Sequence, residues 1–485
     1  MVRKAGILMP VASLPGRFGT GDFGPGAYRF VDDAVKAGFS IWQILPLNPL
    51  GYGNSPYQPY SSFAIDELYL SLDLLEKELK TEHVPDFPGK NSNAIQYPEA
   101  RKYRDKYLRK AFEAFEPDEE YRTFTEQEWV KRYAVFMAFK KANNFRPWTE
   151  WKPEQKDYPQ HRKLDMTEYA DEIRYQYFLQ YMVLKQWLNL KKYADTQGLQ
   201  IMGDIPFYVG LDSADCWSER SSFLLDKDGY PRFIAGVPPD YFSNVGQRWG
   251  NPIYDWEQIE RHGFRFWLKR ISYSATLFDI IRLDHFRAFD TYWKIPASCP
   301  TAVEGEWIEA PGYQFFNKLF EEYPDINIIA EDLGDLRPAV LTLRDHYRFA
   351  GMNVLQFTFN PYGENEVTEH CLAYTGTHDN DTLRSFCRNL PEKEKRAWRR
   401  WFSEREYEGN NICEKFICFA LKSKAEYVII PVGDWLYLGP EGCLNHPGTV
   451  GSPNWEWRMK DFSRFEKRVP WIRERIEEAN RAPVK

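Results

Sequence analysis

Short continuous apolar runs recur along the chain, bounded by glycine, proline or charged residues, and they predict strands buried on both faces. Gly6 to Ser13 is the first and Ile41 to Pro46 the second. Between them Phe30, Val31, Ala34 and Val35 fall on one stripe of a helix over Ala27 to Lys36 that stops at Gly38. Further strands are expected at Leu199 to Ile205, Phe278 to Leu283, Ile326 to Ala330, Met352 to Phe357, Leu372 to Thr375 and Tyr427 to Pro431. Helical stretches at Gly263 to Ser274, Gly312 to Glu322, Leu336 to Tyr347 and Pro391 to Phe402 separate several of them. Alternation of this kind builds a parallel sheet. Eight strands favour an α/β fold closed as a (β/α)8 TIM barrel over a doubly wound open sheet, which alternates in the same way.

Too much chain lies between the second and third strands for a single crossover, so a segment is inserted there. Tyr103, Tyr107, Ala111 and Phe115 keep a spacing of four, and Ile173, Tyr177, Tyr181, Leu184 and Leu188 follow at steps of three or four, so the insertion reads as mostly helical. The expected organisation is a barrel over residues 1–67 and 198–485 with a helical insertion at 68–197. Residues 211–254, dense in glycine and proline, read as loops roofing the barrel mouth. A charged helix is expected from about Pro470 to Ala479.

Composition narrows the function classes. The 485 residues carry 63 basic and 70 acidic side chains, a net charge of -7, and runs such as Glu392 to Arg396 mix both signs, so no basic face for nucleic acid is expected. No stretch has the roughly 18 consecutive apolar residues of a spanning helix, and the start at Met1 lacks a signal peptide's apolar segment, which predicts no membrane partner and a cytoplasmic protein. Seven cysteines without a CxxC pair argue against a disulfide framework or structural zinc. Aromatic residues are 17% of the chain. Many must be core, but Trp and Tyr also supply the flat faces on which sugar C–H groups stack.

Gly19-Thr-Gly21-Asp22-Phe-Gly24 fits GxGxxG, yet Asp22 would face pyrophosphate and the next strand ends without the acidic residue that holds a ribose, so it reads as a turn and no cofactor is expected. Chemistry in parallel barrels gathers where strands end. The fourth expected strand ends in Arg282-Leu-Asp284-His285, the fifth in Glu331-Asp332, and the seventh in His378-Asp379-Asn380-Asp381. Three strands thus aim carboxylates at one mouth. A carboxylate at a strand's end also caps helices or binds metals, but His378, Asp379 and Asp381 sit too close in one loop to share an ion without strain, and no metal is expected. Two opposed carboxyls, one ionised and one protonated, are what glycosidic cleavage requires. The period of two puts Arg282 and Asp284 on one face, where the guanidinium favours the ionised carboxylate.

With these residues in view, the chain resembles the 4-α-glucanotransferases, called amylomaltases or disproportionating enzymes, which are relatives of the α-amylases. The likeness runs essentially end to end, through Pro10-Val-Ala-Ser-Leu-Pro15, Gly51 to Gln58, Gly203-Asp204-Ile-Pro206, Asp212 to Asp215, Gly236 to Ser243, Gly246 to Pro252, Arg282 to Arg287, Ala330 to Gly334, Gly376 to Asn380 and Cys443-Leu-Asn445-His-Pro-Gly-Thr. It implies one decorated barrel without a separate C-terminal β-domain. It further implies transfer of α-1,4-glucan segments from maltooligosaccharides or amylose to another glucan or to glucose, by a monomer or small homo-oligomer. Matched by motif, Asp284 is the nucleophile, Glu331 the general acid and base, and Asp379 the carboxylate that fixes the distorted sugar. Arg282 and His378 are neighbours in that subsite, and Tyr57 stacks beneath the sugar. Asp240, Ser243, Gln247 and Trp249 belong to a loop over the glucan, and Asp204 and Asn445 complete the substrate-binding set. The alternatives are a retaining α-glucan hydrolase with a wetter acceptor site and a non-catalytic glucan-binding protein.

Overall fold

The computed structural model describes residues 3–239 and 243–483. Among them, in chain order, are strands β1 (Lys4–Leu8), β2 (Ile41–Gln43), β3 (Gln200–Ile205), β4 (Phe233–Val237), β5 (Gln247–Pro252), β6 (Ile280–Leu283), β7 (Thr291–Pro296), β8 (Glu306–Glu309), β9 (Ile328–Ala330), β10 (Gly351–Val354), β11 (Cys371–Tyr374) and β12 (Tyr427–Pro431). Eight of these pair in the parallel order β10-β11-β12-β1-β2-β3-β6-β9. A bridge from Ile329 to Ala350, with the Ala330 N–H donating to the Ala350 carbonyl at 3.0 Å, joins β9 to the approach of β10 and closes the ring. Just past that bridge the Asp332 carboxylate accepts the Met352 N–H at 2.7 Å and a guanidinium hydrogen bond from Arg344 at 2.5 Å, so a side chain takes over from the backbone ladder. The sheet is the expected (β/α)8 barrel. Its strands are apolar on both faces because helices cover the outside and side chains fill the inside. Gly6 is required where β1 crosses its neighbours: a Cβ there would lie 2.3 Å from Ile429 and 2.8 Å from the Ile41 carbonyl.

Several elements depart from the pattern reading. The first strand ends at Leu8 and Val11–Ser13 is a 3-10 turn, since Pro10 has no N–H to continue a ladder. The run Met352 to Phe357 is strand only to Val354. Leu355–Thr358 then coils into a helical turn that keeps Leu355 buried and leaves Phe357 exposed, a distinction that an unbroken apolar run does not encode. The last helix spans Ser463–Glu478 and contains Pro470 in its interior. Phe465 packs against Phe30 and Ile476 is fully buried, and that burial outweighs the one hydrogen bond Pro470 cannot make.

Between β2 and β3 the chain forms helices Leu72–Leu79, Tyr97–Glu113, Glu119–Thr125, Glu128–Ala142 and Ala170–Thr196, with shorter turns among them. The last is 27 residues long and runs into β3. Its buried Gln180 and Gln186 each satisfy both an N–H and a carbonyl of the segment leaving β2, at Ile65 and Ser71 respectively, so the insertion is tied to the barrel by paired polar contacts. The turn at Gly19 to Gly24 faces this insertion. Asp22 accepts the Gly24 N–H at 2.9 Å and lies 3.6 Å from the buried Arg104 guanidinium.

Residues 211–254, which read as loops, contain β4 and β5. With β7 and β8 these make an antiparallel sheet in the order β5-β4-β7-β8 beside the barrel mouth. Glycines and prolines within and around β4 and β5 hide the strand pattern, and three of the four residues of β8 are exposed, so it buries too little apolar surface to show a period of two. After β12 the described chain forms turns and the Ser463–Glu478 helix. No helix among the described residues is long and apolar enough to cross a membrane.

Candidate active site

β3 and β6 are neighbours with Asp204 in register with Arg282, both facing inward near their strand ends. The Arg282 guanidinium donates to both Asp204 oxygens, at 2.7 and 2.8 Å, and to Asp284 at 3.0 Å. The Asp204 side chain is fully buried and also accepts the Tyr57 hydroxyl at 2.7 Å. Asp284 remains 27% exposed and opens to the mouth. Its N–H donates to the Ile205 carbonyl, which fixes the backbone from which the carboxylate projects.

Glu331 follows β9. Its N–H donates to Leu283 O at 3.0 Å, while its carboxyl accepts the His285 N–H at 2.6 Å and the Leu333 N–H at 3.2 Å. His285 adopts a left-handed backbone (φ 51°), which turns its N–H toward Glu331. The residue after Asp284 thus holds Glu331, and the two carboxyls are positioned by one stretch of backbone. Trp249 packs edge-on against the His285 ring at 4.9 Å.

Asp379 comes from the loop after β11. One of its oxygens lies 3.3 Å from His378 Nε2 and the other accepts Asn445 Nδ2 at 2.7 Å. The His378 ring stacks on Tyr57 with centroids 5.2 Å apart. Trp455 flanks that pair, 5.8 Å from Tyr57 and 5.9 Å from His378. The sequence reading missed Trp455; its only signal was a large aromatic residue in the Gly- and Pro-rich segment just beyond Asn445. Asn445 itself is held by Cys443, whose thiol donates to the carbonyls of Asn445 and Asn380.

Tyr57, Asp204, Arg282, Asp284, His378, Asp379 and Asn445 therefore form one contiguous network, to which Glu331 and Trp249 attach through His285. Gln247 accepts the Trp249 indole N–H at 3.1 Å, and the Trp249 carbonyl accepts Gln58 Nε2. Ser243 donates to the Gly246 carbonyl in the turn leading to β5. Asp240 lies outside the described residues. Among the described residues no three His, Cys, Asp or Glu side chains cluster as a metal site.

Electrostatics separate the three carboxyl groups. Burial pushes Asp284 up to about 6, with Arg282 opposing the rise. Burial and then the negative charge of Asp284 push Glu331 further, to about 8, despite Arg282 and two backbone N–H groups. At neutral pH one is an ionised carboxylate and its neighbour a protonated acid. Burial works against ionised Asp379 too, but His378 and Asn445 overcome it and hold the group down to about 2. The same Asp379 charge raises His378 against the burial that disfavours a charged ring. His285 goes the other way: burial, aided by Arg287, lowers it to about 3, so its ring is neutral.

A parallel barrel whose mouth gathers three carboxyl groups in unlike charge states has the make-up of an enzyme that works on glycosidic bonds. Comparison with known proteins carries this further. The 4-alpha-glucanotransferase family model matches residues 9–464, and the chain belongs to that family. It is 42% identical over 473 residues to the 4-alpha-glucanotransferase of Clostridium butyricum (93% of this chain, 96% of the relative) and 40% identical over 479 residues to that of Thermus thermophilus (94% and 95%). Among solved structures it is similar to the amylomaltase from Streptococcus agalactiae in complex with acarbose, with a TM-score of 0.91 at 33% identity, covering 99% of this chain and all of that one. The protein is an enzyme of glucan transfer acting on α-1,4-glucans.

Proposed function

We propose that transfer proceeds by a retaining double displacement through a covalent glycosyl-enzyme. An Asp284 oxygen attacks C1 of the donor sugar as the C1–O4 bond breaks, and Glu331 passes its proton to the departing oxygen. The 4-hydroxyl of an acceptor then gives its proton to the Glu331 carboxylate and attacks C1, releasing Asp284. The observation that carries this reading is the placement of two carboxyls by one backbone turn, Asp284 against the Arg282 guanidinium and Glu331 on the N–H of the residue that follows Asp284. Asp379, kept ionised by His378, accepts hydrogen bonds from the distorted sugar, and Tyr57, backed by His378, provides its stacking surface. Both Asp204 oxygens are already engaged, which supports action on the sugar through Tyr57 and Arg282. Ser243, Gln247 and Trp249 belong to the roof over the glucan, where Trp249 disfavours water and leaves room for a sugar acceptor.

Maltotriose alone tests the reading. It should yield glucose together with maltopentaose and longer chains while reducing ends stay nearly constant. Rising reducing sugar with no product longer than the substrate would make the reaction hydrolysis. The dependence of kcat/KM on pH provides a second check. Activity should be lost as pH falls through about 6, where Asp284 takes a proton, and as pH rises through about 8, where Glu331 loses one. These two limbs belong to the interacting pair. An acid limb near 4 would remove the case for a buried nucleophile.

A further inference from the structure

The loop that carries His378 and Asp379 runs from Thr375, just past β11, to Leu383, the first residue of the helix Leu383–Asn389. Asp434 belongs to a different element, the helical turn Val432–Trp435 that follows β12. Its carboxylate accepts the Thr375 hydroxyl at 2.6 Å with one oxygen and the Leu383 N–H at 2.7 Å with the other. A single side chain thus spans both ends of the loop. Within the loop, Asn380 Oδ1 accepts the N–H and the hydroxyl of Thr377, and Thr377 Oγ1 accepts the Asp379 N–H at 3.2 Å. The loop is therefore anchored at its two ends by Asp434 and braced in its middle by hydrogen bonds among Thr377, Asp379 and Asn380.

Asp434 is 4% exposed and Thr375 is fully buried. Among the described residues no Lys, Arg or His forms an ion pair with Asp434, and burial pushes its carboxyl up to about 6. A buried carboxylate without a cation is costly, and these two hydrogen bonds are what offsets that cost. Asp434 is thus linked to the two ends of the loop and not to Asp379 itself. We infer that Asp434 is a positioning residue for the transfer reaction, setting the span of the Thr375 to Leu383 loop so that Asp379 meets the sugar in the reactive subsite. The inference rests on the role proposed above for Asp379.

The test is a double-mutant cycle on maltotriose disproportionation. Asp434→Ala should lower kcat by about 10- to 100-fold with KM changed by less than about 3-fold, because a misplaced group that acts mainly in the transition state costs rate before binding. Thr375→Val keeps the volume and removes one anchor, so it should lower kcat in the same direction by several-fold; it carries the cycle if Asp434→Ala does not fold. Asp434→Asn retains an acceptor for the Leu383 N–H and should recover most of the rate. In an Asp379→Asn background the further loss from either anchor variant should shrink to less than about 3-fold, since the group being positioned is already disabled. Equal fold-losses in both backgrounds, or wild-type kcat in folded Thr375→Val and Asp434→Ala, would overturn the inference. Wild-type rate in Asp379→Asn alone would instead remove the role of Asp379, and this inference with it.

Discussion

Glu331→Ala, offered α-maltosyl fluoride and azide, is expected to release the α-glycosyl azide, whereas Asp284→Gly is expected to give the β-anomer. On the proposed double displacement, forming the glycosyl-enzyme from an ordinary glucan needs both groups, so either variant should lose about 10,000-fold or more on maltotriose. Fluoride departs without a proton, and Glu331→Ala can therefore still be glycosylated on Asp284. The second step then stalls for want of a base, until azide, which needs none, attacks and completes two inversions. Asp284→Gly has no nucleophile. Azide placed in the vacated space attacks the α-fluoride once and inverts it. Product anomers are read by NMR, and identical anomers from the two variants would show the pair to be misassigned.

Removing the Arg282 guanidinium should be the most destabilising single change in the site. The side chain is 4% exposed and is the cation that Asp204 and Asp284 share, and the Asp204 side chain is fully buried. Arg282→Met would leave that carboxylate unpaired in the interior, at a cost of about 3–5 kcal/mol. Urea unfolding at pH 7 would measure it. Because the penalty belongs to the orphaned charge, adding Asp204→Asn should return about 1 kcal/mol or more, although activity stays low for lack of the guanidinium beside Asp284. A loss below about 1 kcal/mol for Arg282→Met, or no recovery in the double variant, would mean that water reaches the pair.

The barrel was legible because parallel strands covered on both sides appear as unbroken apolar runs, as Ile328 to Ala330 and Val428 to Ile430 do. The carboxylates were legible for a related reason: Asp284, Glu331 and Asp379 each stand within a few residues of such a run. What stayed hidden depends on chain segments meeting from far apart. The stack of Tyr57 on His378 with Trp455 beside it joins three loops, and nothing in the local pattern of any one points to the others. The pairing of Arg282 with Asp204 is a matter of cross-strand register, set only when β3 and β6 lie side by side. The antiparallel sheet escaped because β8 has almost no buried face to record.

The way β9 is held has a mechanical consequence. On one side three residue pairs bind it to β6, and on the other a single backbone bridge and the Asp332 carboxylate join it to the β10 side. When the barrel breathes, the cheaper opening is between β9 and β10, where the least backbone pairing must be broken. Glu331 then travels with β6, whose last residue, Leu283, holds its N–H, and whose continuation carries Asp284. The gap between Asp284 and Glu331 is therefore insulated from the wall's fluctuations. In hydrogen exchange, the Met352 amide should lose protection sooner than those of Glu331 and Asp284.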